Sequence, residues 1–250
     1  IPTSFMAMPT LGSTAPASIL GAIAVGDAEV VSAMVLMQLA HPGAPVFHSI
    51  ILSLMDPRTG GYIGETPIAS AAVVQLAHAW EVPSLGGGST SSDAHDISWE
   101  SGTDGGFGAA QIPLAGGEVC GYLGMLGTSM ILYPEQIILE HETCLHVYEV
   151  FEEYEFIELD MALDVINKVG PRGHYLREKH TRAHIRDFRY SRLLRKVDEH
   201  GNPRPPRDVA LEEFKKIFAT HHPEPLPDRV LGELGRIVAA ADREAEKLGA

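Results

Sequence analysis

"SFMAMPTLGSTAPASILGAIAVGDAEVVSAMVLMQLAHPGAPVFHSIILSL", residues 4–54, predicts a strand, a helix and a second strand. The apolar run 4–9 has the length of a short strand, and Pro16 precedes a long run of small and apolar residues, as at many helix starts. Apolar residues resume at 44–54 after a Gly-containing break. We therefore expect a helix over about 15–40 that connects two strands.

The same unit recurs along the chain. Predicted strands start about forty residues apart, near positions 4, 45, 82 and 119. Further helices are predicted at 66–80 and 133–154. Alternating strands and helices favour a parallel sheet in an α/β fold, and four such units make half of a (βα)₈ TIM-type barrel. A small open α/β sheet is the alternative, but it needs helices on both faces.

The pattern changes in the last third of the chain. Residues 1–157 hold the four βα units, whereas 158–250 are more charged and predict additional C-terminal helices, among them 210–222 and 227–249. We expect these helices to pack on the barrel. Half a barrel has two open sheet edges. The chain is therefore interpreted as a piece of a longer protein that is poorly soluble or oligomeric when expressed alone.

The charge distribution argues against nucleic acid as a partner. The formal net charge is −14, and residues 1–134 contain ten acidic residues and a single base, Arg58. Nucleic-acid binding needs a basic face, which this half of the sequence lacks. An acidic cleft that attracts a cation is one interpretation of this charge, and simple solubility is the other.

Membrane insertion and disulfide bonding are not expected either. The apolar run near 17–40 is interrupted by Asp27 and Glu29, which favours a packed helix over a membrane span. Cys120 and Cys144 form no CxxC pair, so neither a zinc site nor a disulfide framework is predicted. These features are typical of a cytoplasmic protein.

A stretch rich in glycine, serine and acidic residues covers 84–108 and directly follows the third predicted strand. In a βα barrel this end of a strand faces the active site, so we interpret the stretch as an active-site loop. It contains no lysine or arginine, and its acids would repel a phosphate. A cationic ligand fits better, with the rings of Trp99 and Tyr122 available for cation–π contact.

The resulting hypothesis concerns a substrate-binding site at the carboxyl ends of the strands. Its candidate residues are His48, Ser89, Thr90, Asp93, Asp96, Trp99, Glu100 and Tyr122. A core position for His48 and a solvated position for the loop acids are the competing interpretations. No catalytic residue can be assigned. His180 and His184 have a metal-ligand spacing, but no third ligand accompanies them, so no bound metal is expected.

Two segments carry a resemblance to a known family. "MPTLGSTAPASILGAIAVGDAEVVSAMVLMQLAHPGAPVFHS" (8–49) and "GPRGHYLREKHTRAHIRDFRYSRLL" (170–194) resemble the trimethylamine methyltransferase (MttB-like) family. Members are (βα)₈ barrels about twice this length, so the chain resembles their C-terminal half. Because it shows only standard residues, it is similar to the branch of the family that lacks pyrrolysine.

The resemblance implies an activity and a partner. Members move a methyl group from a quaternary or tertiary methylamine, such as glycine betaine or trimethylamine, to the cobalt of a corrinoid (cobalamin) carried by a separate, cognate corrinoid protein. The chain would then belong to a homo-oligomeric methyltransferase and could be inactive alone. If the substrate is a betaine, His48, Ser89 and Thr90 are candidate donors to its carboxylate.

Two other functions remain open at this stage. The twelve histidines suggest a metal-assisted hydrolase on a TIM-type barrel as the alternative. A protein that binds a betaine-like ligand without catalysis is a further possibility. Metal analysis separates the hydrolase from the methyltransferase.

Overall fold

The protein is described by a computed structural model that covers residues 2–86, 90–152, 161–187, 191, 193 and 195–248. It divides into two compact units, residues 1–214 and 215–250. The predicted boundary between 157 and 158 falls outside the described residues and stays a prediction.

The described residues form a mixed α/β chain. Its helices are α1 (Ile19–Ala40), α2 (Pro67–Ala79), α3 (Trp99–Ala115), α4 (Pro134–Phe151), α5 (Leu163–Val169), α6 (Lys179–His184), α7 (Pro206–Thr220) and α8 (Asp228–Leu248). Its strands are β1 (Met6–Ala7), β2 (Thr10–Leu11), β3 (Ser49–Ile50), β4 (Ser53–Met55), β5 (Tyr62–Glu65), β6 (Met125–Leu126) and β7 (Ile131–Leu132). The predicted helices at 15–40, 66–80, 133–154, 210–222 and 227–249 correspond to α1, α2, α4, α7 and α8.

The first three predicted strands lie parallel and side by side, in chain order. β1 pairs with β3 in parallel register, and a parallel bridge joins His48 to Ser84 on the other side. Helices α1 and α2 follow the first two strands and pack against them. Gly26 of α1 is a close-approach point, because a Cβ there would lie 2.9 Å from a methyl carbon of Ile50.

The prediction of a fourth parallel strand over 119–125 is wrong. β6 pairs with β7, and the pairing is antiparallel. The physical reason is local: Tyr122, Gly124 and Gly127 have φ of +68°, +82° and +55°, and an extended strand cannot pass through left-handed residues. A second antiparallel pair, β4 with β5, follows β3 and is not predicted by the alternation of strand and helix.

The prediction of one continuous active-site loop over 84–108 also needs correction, because α3 begins inside it at Trp99. Ser98 and Ser101 form a capping box, each side chain accepting from the other's backbone N–H. The glycines permit close packing: a Cβ on Gly105 would lie 3.2 Å from the Glu140 carboxyl and 3.3 Å from the Thr90 carbonyl. Tertiary contact with α2 and α4 thus compensates for the poor helix propensity of glycine.

Helix α1 is long and apolar enough to cross a membrane by length and composition alone, and it is the one such helix among the described residues. One of its faces packs into the core through Ala22, Ile23, Gly26 and Val30. From the same helix, Asp27 lies 3.0 Å from Nε2 of His48 and accepts a hydrogen bond from Trp80 Nε1 at 3.0 Å. These contacts support the interpretation as a packed helix.

Replacing Asp27 with alanine is expected to lower the free energy of unfolding by about 1–3 kcal/mol, because buried His48 loses the side chain that satisfies its ring. Nδ1 of the same ring has no hydrogen-bond partner among the described residues. Glu29→Ala is the matched control: Glu29 is exposed on the same helix, so a change within about 0.5 kcal/mol is expected. Urea unfolding of the full-length variants checks this, and equal losses for both would refute it.

Candidate functional site

A cavity of about 570 Å³ lies in the first unit, at the carboxyl ends of the parallel segments. Met8 follows β1, Ile51 and Ser53 follow β3, and Ser91 and Asp93 follow the bridge residue of the third segment. The carboxyl edge of parallel strands is where α/β folds place their ligands. The other lining residues are Met6, Gly64, Pro67, Ser70, Thr103, Asp104, Phe107, Gly108, Gln111, Tyr122, Met125, Thr128 and Ser129.

The charges of this cavity are negative. Asp93 and Asp104 line it, and no lysine, arginine or histidine stands among the lining residues that the structure describes. Burial raises the pKa of Asp93 and the nearby charge of Asp104 raises it further, while the backbone N–H of Gly64 opposes the shift. The Ser92 hydroxyl donates to Asp104 at 2.5 Å and fixes that carboxylate. A cation bound here would relieve the unfavourable burial of negative charge.

The remaining wall is apolar and polarisable. The Tyr122 hydroxyl lies 3.0 Å from the sulfur of Met6, so the phenol is anchored across the cavity. Met8, Met125 and the ring of Phe107 extend this surface. Aromatic faces and thioethers beside carboxylates suit a methylated ammonium ion, which is both apolar on its surface and positively charged.

Two of the predicted site residues, Asp93 and Tyr122, meet in the cavity although they lie far apart in the chain. Thr90 lies behind the wall: its side chain is buried and its hydroxyl donates to the Gly121 carbonyl at 3.3 Å. Ser89 is outside the described residues.

The expectation that all the candidates share one concavity is not met, and His48 is the first exception. Its side chain is fully buried and turned towards α1, where Asp27 is its partner. Alternation along a strand sends neighbouring side chains to opposite faces. His48 therefore has the core position that the sequence left open.

The remaining candidates, Asp96, Trp99 and Glu100, lie at the exposed start of α3. Trp99 is 89 % exposed and Glu100 is exposed beside it. Asp96 forms an ion pair with Arg207 at 2.9 Å. None of the three lines the cavity, because the onset of the helix turns them outwards.

Sequence reasoning missed Met6, Met8 and Phe107 as cavity residues. The signal was present for the methionines, because positions 6 and 8 alternate in a short strand and point to the same side. Phe107 falls in the predicted loop 84–108, where helix-face reasoning does not apply. No group of three or more histidine, cysteine, aspartate or glutamate side chains that could hold a metal occurs within the described ranges.

A match to a known family extends over nearly the whole chain and includes the residues that line the cavity. A model of the trimethylamine methyltransferase (MTTB) family matches residues 2–246. The chain belongs to the trimethylamine methyltransferase family. The cavity-forming segments of this family member, from β1 to β7, all fall inside the matched range.

Individual relatives of this trimethylamine methyltransferase family member are named for different methylated amines. Glycine betaine methyltransferase from Desulfitobacterium hafniense (strain Y51) is 36 % identical over 182 residues, which are 71 % of this chain and 38 % of that protein. Trimethylamine methyltransferase MttB from Desulfitobacterium hafniense (strain DSM 10664 / DCB-2) is 29 % identical over 253 residues, 98 % of this chain and 50 % of that protein. L-carnitine:corrinoid methyltransferase from Eubacterium limosum is 25 % identical over 238 residues, which are 92 % of this chain and 49 % of that protein.

The chain therefore spans at most about half the length of these family members. What their names state about substrates and corrinoid applies to those proteins.

Proposed function

We propose that the full-length protein transfers a methyl group from a quaternary or tertiary methylamine, of the glycine betaine or trimethylamine type, to the cobalt of a corrinoid held by a separate protein. The observation that carries this proposal is the acidic, thioether- and aromatic-lined cavity without a basic side chain among its described lining residues. The names of the relatives support the substrate class and the corrinoid partner.

The chemistry of the lining side chains fits this role. A quaternary ammonium leaves as a neutral amine once its methyl group departs, so transfer from such a substrate needs no general acid. Trimethylamine would have to bind as its protonated ammonium ion, which then leaves as neutral dimethylamine. The described lining contains no cysteine, histidine or lysine that could accept the methyl group. A reduced corrinoid cobalt would supply the nucleophile, and the chain's own task is to bind, desolvate and orient the ammonium.

In this proposal Asp93 and Asp104 hold the cation by charge. Tyr122 and Phe107 present ring faces, and the methionines around them keep water away from the methyl groups. The hydroxyls of Ser91 and Ser129 bond to each other at 3.3 Å and could turn towards a substrate carboxylate. The proposal covers both glycine betaine and trimethylamine as substrates.

The proposal extends to the architecture and setting of the full-length protein. Three parallel segments with α1 and α2 beside them, together with relatives of about twice the matched length, support half of a TIM-type barrel in residues 1–157. We further propose a pyrrolysine-free, homo-oligomeric, cytoplasmic enzyme.

The decisive experiment is methyl transfer by the full-length protein. With the reduced cognate corrinoid protein present, glycine betaine should yield dimethylglycine, or trimethylamine should yield dimethylamine. Omission of the corrinoid protein should abolish the demethylated product. If neither amine nor carnitine loses a methyl group with the partner present, the proposed function is wrong.

Tyr122→Ala is expected to weaken binding of a methylated amine by about two- to thirty-fold, the range for one lost cation–π contact. Trp99→Ala is the matched control, because that ring is exposed outside the cavity and its loss should leave the affinity unchanged. Calorimetric titration of the full-length variants with glycine betaine, carnitine and trimethylamine measures both. A loss with Trp99→Ala alone would place the site elsewhere.

A further inference from the structure

The cavity wall formed by residues 120–126 is held in an unusual backbone conformation. Tyr122 has φ of +68°, a left-handed conformation that non-glycine residues seldom adopt. Such a residue costs about 1–3 kcal/mol and persists only when its surroundings impose it. This segment carries Tyr122 and Met125, two of the cavity's lining side chains, so whatever holds it also sets the shape of the site.

Backbone contacts from other elements hold this wall at several points. Thr90 N–H donates to Gly121 O at 3.4 Å, and Ser92 N–H donates to Met125 O at 3.1 Å. Tyr133 N–H donates to Gly124 O at 2.9 Å. Between these points, the N–H of Gly124 donates to a side chain, the carboxyl of Glu140, at 2.5 Å.

Glu140 is a buried carboxyl in α4 whose hydrogen-bond donors, which include Gln136 and Gly124, are uncharged. It is 3 % exposed. Gln136 Nε2 donates to one carboxyl oxygen at 2.8 Å, and Gly124 N–H donates to the other. Burial of a carboxylate without a paired cation is unfavourable, and an apolar residue would fill such a place at a lower cost. A carboxyl at this position therefore needs a reason beyond packing.

Only glycine fits at position 124 of the cavity wall. Gly124 has φ of +82°, and a Cβ there would collide with Ile137, one turn before Glu140 on the same helix. The glycine lets the chain approach α4 closely enough for its N–H to meet the carboxyl. The hydrogen bond between Gly124 and Glu140 thus joins the cavity wall to α4.

We propose that Glu140 is a positioning residue of the substrate site: its carboxyl holds the N–H of Gly124 and thereby keeps Tyr122 and Met125 in the cavity wall. The binding test of this inference rests on the proposed function, because it uses the proposed substrates as ligands. It assigns a role to a side chain that does not line the cavity and that touches no substrate.

Comparison of Glu140→Gln with Glu140→Leu separates the hydrogen bond from packing, because both side chains have similar size and glutamine alone keeps an acceptor. The Glu140→Gln variant should bind trimethylamine and glycine betaine with near wild-type affinity. The Glu140→Leu variant should bind them about tenfold more weakly, the order expected when one hydrogen bond to an ionisable group is lost. Glu149→Leu, an exposed position on α4, is the control and should change nothing.

A second measurement does not depend on the ligand. In hydrogen exchange followed by mass spectrometry, the peptide containing residues 120–126 should lose protection in Glu140→Leu and keep it in Glu140→Gln. Because leucine leaves the N–H of Gly124 and Nε2 of Gln136 without their acceptor, a modest fall of the thermal midpoint is also expected. The loss of protection should nevertheless be larger at 120–126 than in α1. A general loss of stability with unchanged exchange at 120–126 would show a merely structural role.

The outcomes also separate this inference from the proposed function. If the wild-type protein binds neither amine, the proposed function fails while the exchange result still decides the role of Glu140. If the wild-type protein binds an amine and the leucine and glutamine variants bind it equally, Glu140 does not position the wall.

Discussion

Replacing Glu140 by glutamine is expected to remove about 3 kcal/mol of pH dependence from the free energy of unfolding of the full-length protein. Burial raises the pKa of Glu140 from 4.5 to about 7, and hydrogen bonds from Gln136, Gly124 and Thr90 oppose this only in part. The difference of about 2.5 pH units corresponds to about 3 kcal/mol.

The sign follows from proton binding. The folded state holds a proton on Glu140 that the unfolded state releases, so this group stabilises the fold fully below pH 4.5 and loses that contribution as pH rises through about 7. Wild type should therefore lose stability relative to Glu140→Gln between pH 5 and pH 8. Two further ionisable groups stand near Glu140, the thiols of Cys120 and Cys144, and a negative charge on Glu140 opposes their ionisation.

Urea unfolding of both proteins at pH 5 and pH 8 measures this difference, since titrations elsewhere are common to both and cancel. Glu149→Gln is the control, because Glu149 is exposed on the same helix. Parallel pH profiles for wild type and Glu140→Gln would contradict the assignment of a raised pKa.

The second large effect is expected in the cavity. Asp93→Asn should weaken the binding of a methylated ammonium on the order of a hundredfold, because a unit charge at about 4 Å contributes about 4 kcal/mol at the effective dielectric of a protein surface, less the cost of desolvation. Affinity in the wild type should also fall as the pH is lowered, since protonation of Asp93, whose pKa is raised by burial, removes the same charge.

The matched control is Asp96→Asn, which alters an exposed carboxylate in the same segment that pairs with Arg207 outside the cavity. Titration with choline and with 3,3-dimethyl-1-butanol, its uncharged isostere, isolates the charge. Asp93→Asn should weaken choline binding and leave the alcohol unaffected. An equal loss for both ligands would mean that Asp93 acts through structure and not through its charge.

The repeating part of the fold could be predicted because its signals are local. Thr66 and Pro67 mark the start of α2, and the Thr66 side chain accepts from Ala69 N–H as a helix cap should. Regular alternation of strand and helix was enough to predict parallel pairing of the first three segments, and the structure confirms it. Half of a TIM-type barrel stays a proposal.

Other parts could not be predicted because distant contacts override local propensity. The glycines of α3 favour a loop by themselves, and the helix forms because Gly105 packs against Glu140 and Thr90. The segment after Cys120 is apolar enough for a strand, yet left-handed residues turn it into a wall of the cavity. Periodicity carries no information about such partners.

The sequence by itself determined the α/β alternation, the acidic character of the first half and the family of the chain, because composition, local spacing and motif order are properties of the chain alone. Only the tertiary structure decided which polar groups line the cavity. It turns His48 towards Asp27, leaves Trp99 in solvent, and brings Asp93 and Tyr122 to one cavity. The physical reason is that backbone direction, set by packing between remote elements, decides where each side chain points.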